Sequence, residues 1–309
     1  MNTRANVTWE SYLPFYPEHC RAVPAFEEEW VPWRGMELHV DRLPRPSSPV
    51  KMILVHGAGA YGRVLLPLVA PFEIEAVAPD LPGYGLTRTH GRAVAYEDWI
   101  AALHEIVRRE RARDARPIVL FGASMGGMLA YSVAAESDVD GLIVTCFLDP
   151  RSEAVRAALT RFGWLERLGR PMIESGAFDG LDVPVRWLTK MSRMANDPAV
   201  GALCSSDALG GGARMPLRWV RTFLASAPPV EPERFDRCPV LLAHPGNDSW
   251  TPLAVSQPFF DRLGGEKTLA ILEGAGHFPL EPLALAQLET TVRTFLAPIA
   301  RAQSSSAFV

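Results

Sequence analysis

Residues 118–127 read IVLFGASMGG and are followed by the apolar segment MLAYSVAAE. The run IVLF is typical of a strand buried on both faces, and the segment behind it is typical of a helix. The glycines on either side of Ser124, at positions 122 and 126, predict a sharp turn that holds the serine in strained backbone geometry. A helix that begins behind Ser124 would supply N–H groups and partial positive charge for a developing anion. Ser124 is therefore the candidate nucleophile.

Short apolar runs recur along the chain on both sides of this turn. Continuous Val, Ile and Leu runs suit strands of a parallel sheet, and Tyr96–Arg113 has the apolar spacing of an amphipathic helix. The alternation predicts an α/β fold with a mostly parallel central sheet and helices on both faces. The predicted strands are 37–40, 52–55, 74–78, 118–121, 142–146, 240–243 and 268–272.

This alternation stops between about Pro150 and Arg237, which predicts an insertion. We expect residues 30–149 and 238–309 to form the α/β core and residues 150–237 to form a mostly helical cap inserted in it. Residues 1–29, rich in proline and aromatic side chains, are expected to be an irregular N-terminal extension. In open α/β sheets, ligands bind at the carboxyl ends of the strands. A cap over these ends would cover the binding pocket and exclude water from it.

A serine hydroxyl needs a base that is itself held by an acid. His277 follows the run TLAIL, and Asp248 follows the run VLLA, so both would lie at carboxyl ends of strands and converge on Ser124. We expect His277 to be the base and Asp248 the acid. Asp149, which follows another strand, is an alternative acid. His244 is an alternative base, although its place at a strand end favours a structural or pocket-lining role.

An oxyanion needs two backbone donors aimed at it. We expect these to be the N–H groups of Met125, which follows the nucleophile, and of Ala58, in the loop after the first parallel strand. Gly57 and Gly59 would let that loop approach a substrate closely, and His56 would brace it through side-chain hydrogen bonds. Elsewhere, Asp80 is expected to fix the turn after its strand.

Charge and composition exclude several classes of protein. The 309 residues carry a net charge of −4, which gives no electrostatic reason to bind nucleic acid. The sequence contains no run of about 18 apolar residues, so we expect no transmembrane helix. Its first residues, MNTRANVTWESYLPF, lack the apolar region of a signal peptide. The four cysteines are scattered, and no cluster has metal-ligand spacing. We therefore expect a cytoplasmic protein without a metal and without stable membrane insertion.

Five motifs together resemble the α/β-hydrolase superfamily: HGAG at 56–59, APDLPGYGLT at 78–87, GASMGG at 122–127, GND at 246–248 and GAGHF at 274–278. Within that superfamily the chain is most similar to bacterial lysophospholipases and monoacylglycerol lipases, and the similarity covers roughly residues 30–296. Residues 56–59 and 124–127 are the points it shares with the monoacylglycerol lipases. It implies a Ser–His–Asp triad, no cofactor, a helical cap and hydrolysis of a carboxylic ester. Ser124 disfavours the haloalkane dehalogenases and epoxide hydrolases, which use an aspartate nucleophile.

The expected partner is a small-molecule ester such as a monoacylglycerol or lysolipid. Trp187, Met191, Met194 and Trp219 are candidates to line its acyl-binding pocket, although packing of the cap onto the core explains them equally well. Carbon–carbon bond hydrolysis, acyl transfer and perhydrolysis with the same triad are alternatives, as is a non-catalytic binding protein. The sequence predicts no oligomeric state.

Overall fold

The computed structural model describes residues 7–160, 169 and 171–306 of the chain. The strands of this part are β1 (Glu27–Trp33), β2 (Met36–Leu43), β3 (Lys51–Val55), β4 (Glu75–Pro79), β5 (Ile118–Gly122), β6 (Gly141–Val144), β7 (Asp182–Pro184), β8 (Arg214–Pro216), β9 (Val240–Pro245) and β10 (Lys267–Leu272). Eight of them form one sheet in the order β1-β2-β4-β3-β5-β6-β9-β10. The pairs β1–β2 and β2–β4 are antiparallel, and all pairs from β4 to β10 are parallel.

The α-helices whose two ends both lie among the described residues are α1 (Glu18–Arg21), α2 (Gly62–Val69), α3 (Tyr96–Arg113), α4 (Met125–Ala134), α5 (Glu153–Leu159), α6 (Val185–Leu188), α7 (Pro198–Ser206), α8 (Leu217–Leu224), α9 (Leu253–Asp261) and α10 (Pro282–Ser306). Every residue of β3 and β5 is buried. Since successive side chains of a strand point to opposite faces, both faces of the central sheet are covered. The predicted mostly parallel α/β fold is confirmed. Within the described part of the chain, no helix is long and apolar enough to span a membrane.

The N-terminal region differs from the expected irregular extension. Trp9–Phe15 form a 3₁₀ helix, α1 follows it, and β1 begins at Glu27. The hydroxyl of Tyr12 donates to the carboxylate of Asp207 at 2.9 Å, and the hydroxyl of Tyr16 donates to the Val64 carbonyl at 2.6 Å. These buried tyrosines attach the N-terminal segment both to the region expected to be the cap and to α2.

Residues 145–239 leave the sheet after β6 and return to it at β9, which is the neighbour of β6. Their described parts include α5, α6, α7 and α8. They also include the short antiparallel pair of β7 and β8, which the mostly helical expectation for residues 150–237 did not contain. Positions 161–168 and 170 lie outside the described residues.

Candidate active site

Ser124 occupies the turn between β5 and α4 with φ 55° and ψ −126°. This is backbone geometry that a non-glycine residue rarely adopts. The turn is tight because a Cβ added at Gly122 would lie 2.5 Å from the backbone oxygen of Gly126, and one added at Gly126 would meet the backbone oxygen of Val55. The N–H of Ser124 donates to the hydroxyl of Thr145, on the loop after β6, at 2.9 Å. Crowding by main chain thus explains the glycines that the sequence shows around the serine.

Loops that follow β9 and β10 bring Asp248 and His277 to this serine. Nε2 of His277 lies 2.8 Å from Oγ of Ser124, and Nδ1 of His277 lies 2.7 Å from Oδ2 of Asp248. Asp248 and His277 are both buried. If the Ser124 hydroxyl donates to Nε2, the Nδ1–H of His277 donates to the carboxylate, which is the tautomer required for proton transfer from the serine.

Two residues that the sequence analysis did not identify hold the acid. Oδ1 of Asp248 accepts the N–H groups of Trp250 and Thr251, both at 2.8 Å, and Oδ2 accepts the Thr251 hydroxyl at 2.8 Å. Burial raises the pKa of Asp248, but the charge of His277 and these hydrogen bonds outweigh burial and hold the pKa below its ordinary value. The Trp250 ring also lies against the His277 ring, with 4.7 Å between centroids. Trp250 and Thr251 could have been identified from the sequence, because an aspartate in a turn commonly accepts hydrogen bonds from the backbone two or three residues further on.

The alternative acid and base have other partners. Both oxygens of Asp149 accept hydrogen bonds from Arg151. Nε2 of His244 lies 3.1 Å from the carbonyl oxygen of Thr251, so this histidine supports the loop that carries Asp248. Burial lowers the pKa of His244 and favours its neutral form.

The loop after β3 lies directly against the serine turn. A Cβ added at Gly57 would lie 2.9 Å from Cβ of Ser124 and 3.1 Å from the N of Met125. His56 holds the loop: its Nδ1 lies 2.9 Å from the carbonyl oxygen of Gly57, and its Nε2 accepts the N–H of Leu81 at 3.0 Å. Burial lowers the pKa of His56, which keeps the ring neutral.

The loop that carries one expected oxyanion donor, Ala58, thus lies against the turn that carries the other, Met125. Within the described residues, the N–H groups of Ala58 and Met125 have no hydrogen-bond acceptor. Met125 is the first residue of α4, where backbone N–H groups have no partner inside the helix. Asp80 lies behind the same loop and accepts the N–H groups of Gly62 and Leu86, both at 2.8 Å, as a residue that fixes a turn would.

Two cavities adjoin the site. The smaller, about 40 Å³, is lined by Ser124, His277 and Met194. The larger, about 270 Å³, is almost wholly apolar, and its lining includes Met125, Leu159, Trp187, Trp219 and Phe223. Ala58 lines both cavities, so they adjoin at the expected oxyanion position.

Met191, the fourth expected pocket residue, lines neither of these cavities. It is buried, and its Sδ would lie 2.8 Å from a Cβ added at Gly59. Its position is explained by packing against the loop after β3, which was the alternative to a pocket role.

Met191 begins a segment, residues 191–197, that we call the strap. It contacts the loop after β3 through Met191, and it also contacts the loops that carry Asp248 and His277. Its hydrogen bonds to these two loops are Arg193 Nη1 to Ser249 O at 2.8 Å, Asn247 Nδ2 to Asn196 Oδ1 at 2.9 Å, Asn196 Nδ2 to Gly274 O at 2.8 Å and to Glu281 Oε1 at 2.5 Å, and Phe278 N to Met194 O at 2.7 Å. The strap therefore links three loops that contribute to the site.

One group of side chains has the composition of a metal site. Glu28, His39 and Asp41 place ligand atoms within 4.8 Å of one another. The guanidinium of Arg63 bonds both carboxylates, and so already supplies the positive charge at this position.

The chain matches the alpha/beta hydrolase family over residues 52–288. It belongs to that family. The lipase LipV of Mycobacterium tuberculosis is 30% identical to this hydrolase over 165 residues, which are 48% of this chain and 59% of LipV. The match thus covers less than two thirds of that relative.

Solved structures share the fold of this hydrolase at low identity. A soluble variant of the monoglyceride lipase of Saccharomyces cerevisiae superposes with a TM-score of 0.72 at 17% identity, covering 92% of this chain and 99% of that chain. The monoacylglycerol lipase of Paleococcus ferrophilus gives a TM-score of 0.68 at 20% identity, covering 85% and 99%. A haloalkane dehalogenase from Bradyrhizobium elkanii has a TM-score of 0.65 at 18% identity, so the shared fold includes other chemistry.

Proposed function

We propose that this α/β hydrolase is a serine esterase that cleaves carboxylic esters with an apolar acyl chain, such as monoacylglycerols or lysolipids. The observation that carries the proposal is the pair of contacts that His277 makes, to Oγ of Ser124 at 2.8 Å and to Asp248 at 2.7 Å. A hydroxyl, an imidazole and a buried carboxylate in this order are the components of nucleophilic acyl transfer.

In the proposed reaction, Oγ of Ser124 attacks the ester carbonyl carbon while Nε2 of His277 takes the serine proton. The tetrahedral intermediate collapses, the alcohol leaves with that proton, and an acyl-enzyme remains. Water then attacks the acyl carbon as His277 takes a proton from it, and the acid is released when the proton returns to Ser124. Asp248, which its hydrogen bonds keep ionised, holds the His277 ring in the required tautomer and stabilises its charged form.

The surroundings of the triad support an ester with an apolar acyl chain. The N–H groups of Ala58 and Met125 would bind the oxyanion, and the side chains of both residues line the larger cavity. An acyl chain extending from the carbonyl would enter this cavity and lie among Trp219, Met215 and Phe223. LipV is named a lipase, and the Saccharomyces cerevisiae and Paleococcus ferrophilus structures are named a monoglyceride lipase and a monoacylglycerol lipase. These names agree with such a substrate.

The test is hydrolysis of p-nitrophenyl esters from acetate to palmitate by wild type and by Ser124→Ala. We expect the variant to lose about 10⁶-fold in kcat. In wild type, each methylene buried in the larger cavity contributes about 0.8 kcal/mol, so kcat/KM should rise about fourfold per methylene until the cavity is full. Ser47→Ala, at an exposed serine, is the matched control and should behave as wild type.

Equal rates for wild type and Ser124→Ala would contradict the proposal. A chain-length series without any rise would leave the nucleophile standing but refute the acyl role of the larger cavity. Product analysis with an added alcohol, a peroxide and a diketone substrate separates ester hydrolysis from acyl transfer, perhydrolysis and carbon–carbon cleavage.

A further inference from the structure

The sheet ends at β10, and one edge of this strand has no partner strand among the described residues. β10 pairs only with β9. The N–H groups of Val240 and Gly246 donate to the carbonyl oxygens of Glu266 and Leu272, so the even-numbered residues of β10 face β9. Because backbone groups alternate in direction along a strand, the outward-pointing N–H and C=O groups belong to Lys267, Leu269 and Ile271.

Between Lys267 and Glu273, this edge lacks the features that usually block strand addition. Leu269 and Ile271 are 39% and 43% exposed, which places them among the few large apolar side chains exposed in the described part of the chain. The stretch from Thr268 to Leu272 contains neither proline nor a charged residue. An open apolar edge of this kind promotes pairing with another strand.

We propose that β10 pairs with β10 of a second copy of this chain in antiparallel orientation, with the twofold axis at Ala270. Antiparallel pairing requires that the outward-pointing, odd-numbered residues lie opposite one another. The register centred on Ala270 satisfies this and places Leu269 of each copy opposite Ile271 of the other. Four apolar side chains then cover one another across the two strands.

Charge selects this register over its neighbours. It places Lys267 of each copy opposite Glu273 of the other, so both ends of the paired strands carry opposite charges. A register with Leu269 opposite itself would put Lys267 beside Ile271, and one with Ile271 opposite itself would put Leu269 beside Glu273. Nζ of Lys267 now donates to the carbonyl oxygens of Asp261 at 2.5 Å and of Leu263 at 2.9 Å, and this flexible side chain would exchange these partners for the carboxylate.

Pairing in this register makes an isologous interface, since each copy presents the same strand to the other. The two eight-stranded sheets would continue into one another across the axis. The occupant of the edge is therefore a second copy of this chain, and the interface is separate from the serine site.

Disulfide trapping tests the register directly. Two Ala270 residues facing each other in a non-hydrogen-bonded pair have Cα atoms about 4.5 Å apart, which is within the range that a disulfide spans. We expect Ala270→Cys to give a covalent dimer under mild oxidation. Thr268→Cys should not, because Thr268 faces Leu272 in this register. The four native cysteines are buried and free. No covalent dimer with Ala270→Cys, or equal yields from both variants, would overturn the proposed register.

Sedimentation velocity tests the dimer itself, with protein from about 1 to about 100 μM. We expect wild type to form dimers with rising concentration and Leu269→Lys to stay monomeric. Leu283→Lys, which changes an even more exposed apolar residue at the start of α10, is the matched control and should dimerise as wild type does. Lys267→Glu should weaken the dimer, and adding Glu273→Lys should restore it. A wild type that is monomeric over the whole range would overturn the proposal.

Discussion

Gly276 precedes His277 and lies directly against the strap, so Gly276→Ala perturbs the base without touching its ring. An added Cβ would lie 2.7 Å from the N of Asn196 and 3.1 Å from Cα of Ala195. Both atoms belong to main chain, so no side-chain rotation relieves the contact. To reach an ordinary contact of 3.4 Å from 2.7 Å, the strap and the His277 loop must separate by about 0.7 Å.

The expected effect on catalysis follows from this displacement. Nε2 of His277 now lies 2.8 Å from Oγ of Ser124, and a misplacement near 1 Å in an active site can cost about 10²-fold in rate. We therefore expect kcat of Gly276→Ala to fall by about 10- to 100-fold. KM for a short ester should change little, because the residues lining the larger cavity are unaltered.

Steady-state kinetics with p-nitrophenyl butyrate, together with thermal unfolding, measure both effects. Gly180→Ala is the matched control, since a Cβ at Gly180 meets nothing within 4 Å, and it should match wild type. If folded Gly276→Ala keeps kcat within about twofold of wild type, the strap does not hold His277 in position and the reasoning fails.

Three further predictions concern the groups around the triad. Asn196→Ala should lower kcat more than Asn247→Ala, because it removes side-chain bonds from the strap to both catalytic loops, whereas Asn247→Ala removes only one of them; equal values would assign Asn196 a merely local role. Thr251→Val should lower the free energy of unfolding, measured in urea, by about 1.5–3 kcal/mol, because the buried Asp248 carboxylate loses a hydroxyl donor. Thr251→Ser keeps the hydroxyl and should keep most of that free energy. Burial lowers the pKa of His244 in the folded protein. As pH falls below about 6.5, His244 is therefore protonated in the unfolded chain before it is protonated in the folded one. Stability should therefore decrease from there towards the lower native pKa, by up to about 1.4 kcal/mol per pH unit, and urea unfolding of His244→Asn should show a flatter decrease.

The serine turn was predictable because its determinants are local. Ser124 needs a buried strand before it, a helix after it and glycines beside it, and all of these lie within a few residues. The parallel sheet could be derived in the same way from continuous apolar runs. His277 and Asp248 were identifiable because each follows such a run, and carboxyl ends of parallel strands share one edge of a sheet.

Features that depend on distant partners were not predictable in this way. β1 begins with three glutamates, Glu27 to Glu29, and contains Pro32, a composition that favours a loop. The structure accommodates it because β1 lies at an edge of the sheet, where proline is tolerated. The strap has no periodic pattern, and its hydrogen bonds to the two catalytic loops join residues that are 51 to 85 positions apart. Met191 was expected to line a pocket, but apolar character alone does not distinguish cavity lining from packing against a neighbouring loop.

The hydrogen bond between Tyr12 and Asp207 has a consequence for the order of folding during synthesis. The two residues are 195 positions apart. At roughly 5–20 residues per second, the ribosome needs about 10–40 s to produce the second after the first. The Tyr12 hydroxyl must therefore wait for its partner while most of the sheet is being made, whereas Tyr16 can bond the Val64 carbonyl much earlier. The contact between Tyr12 and the segment near α7 thus belongs to the late steps of folding.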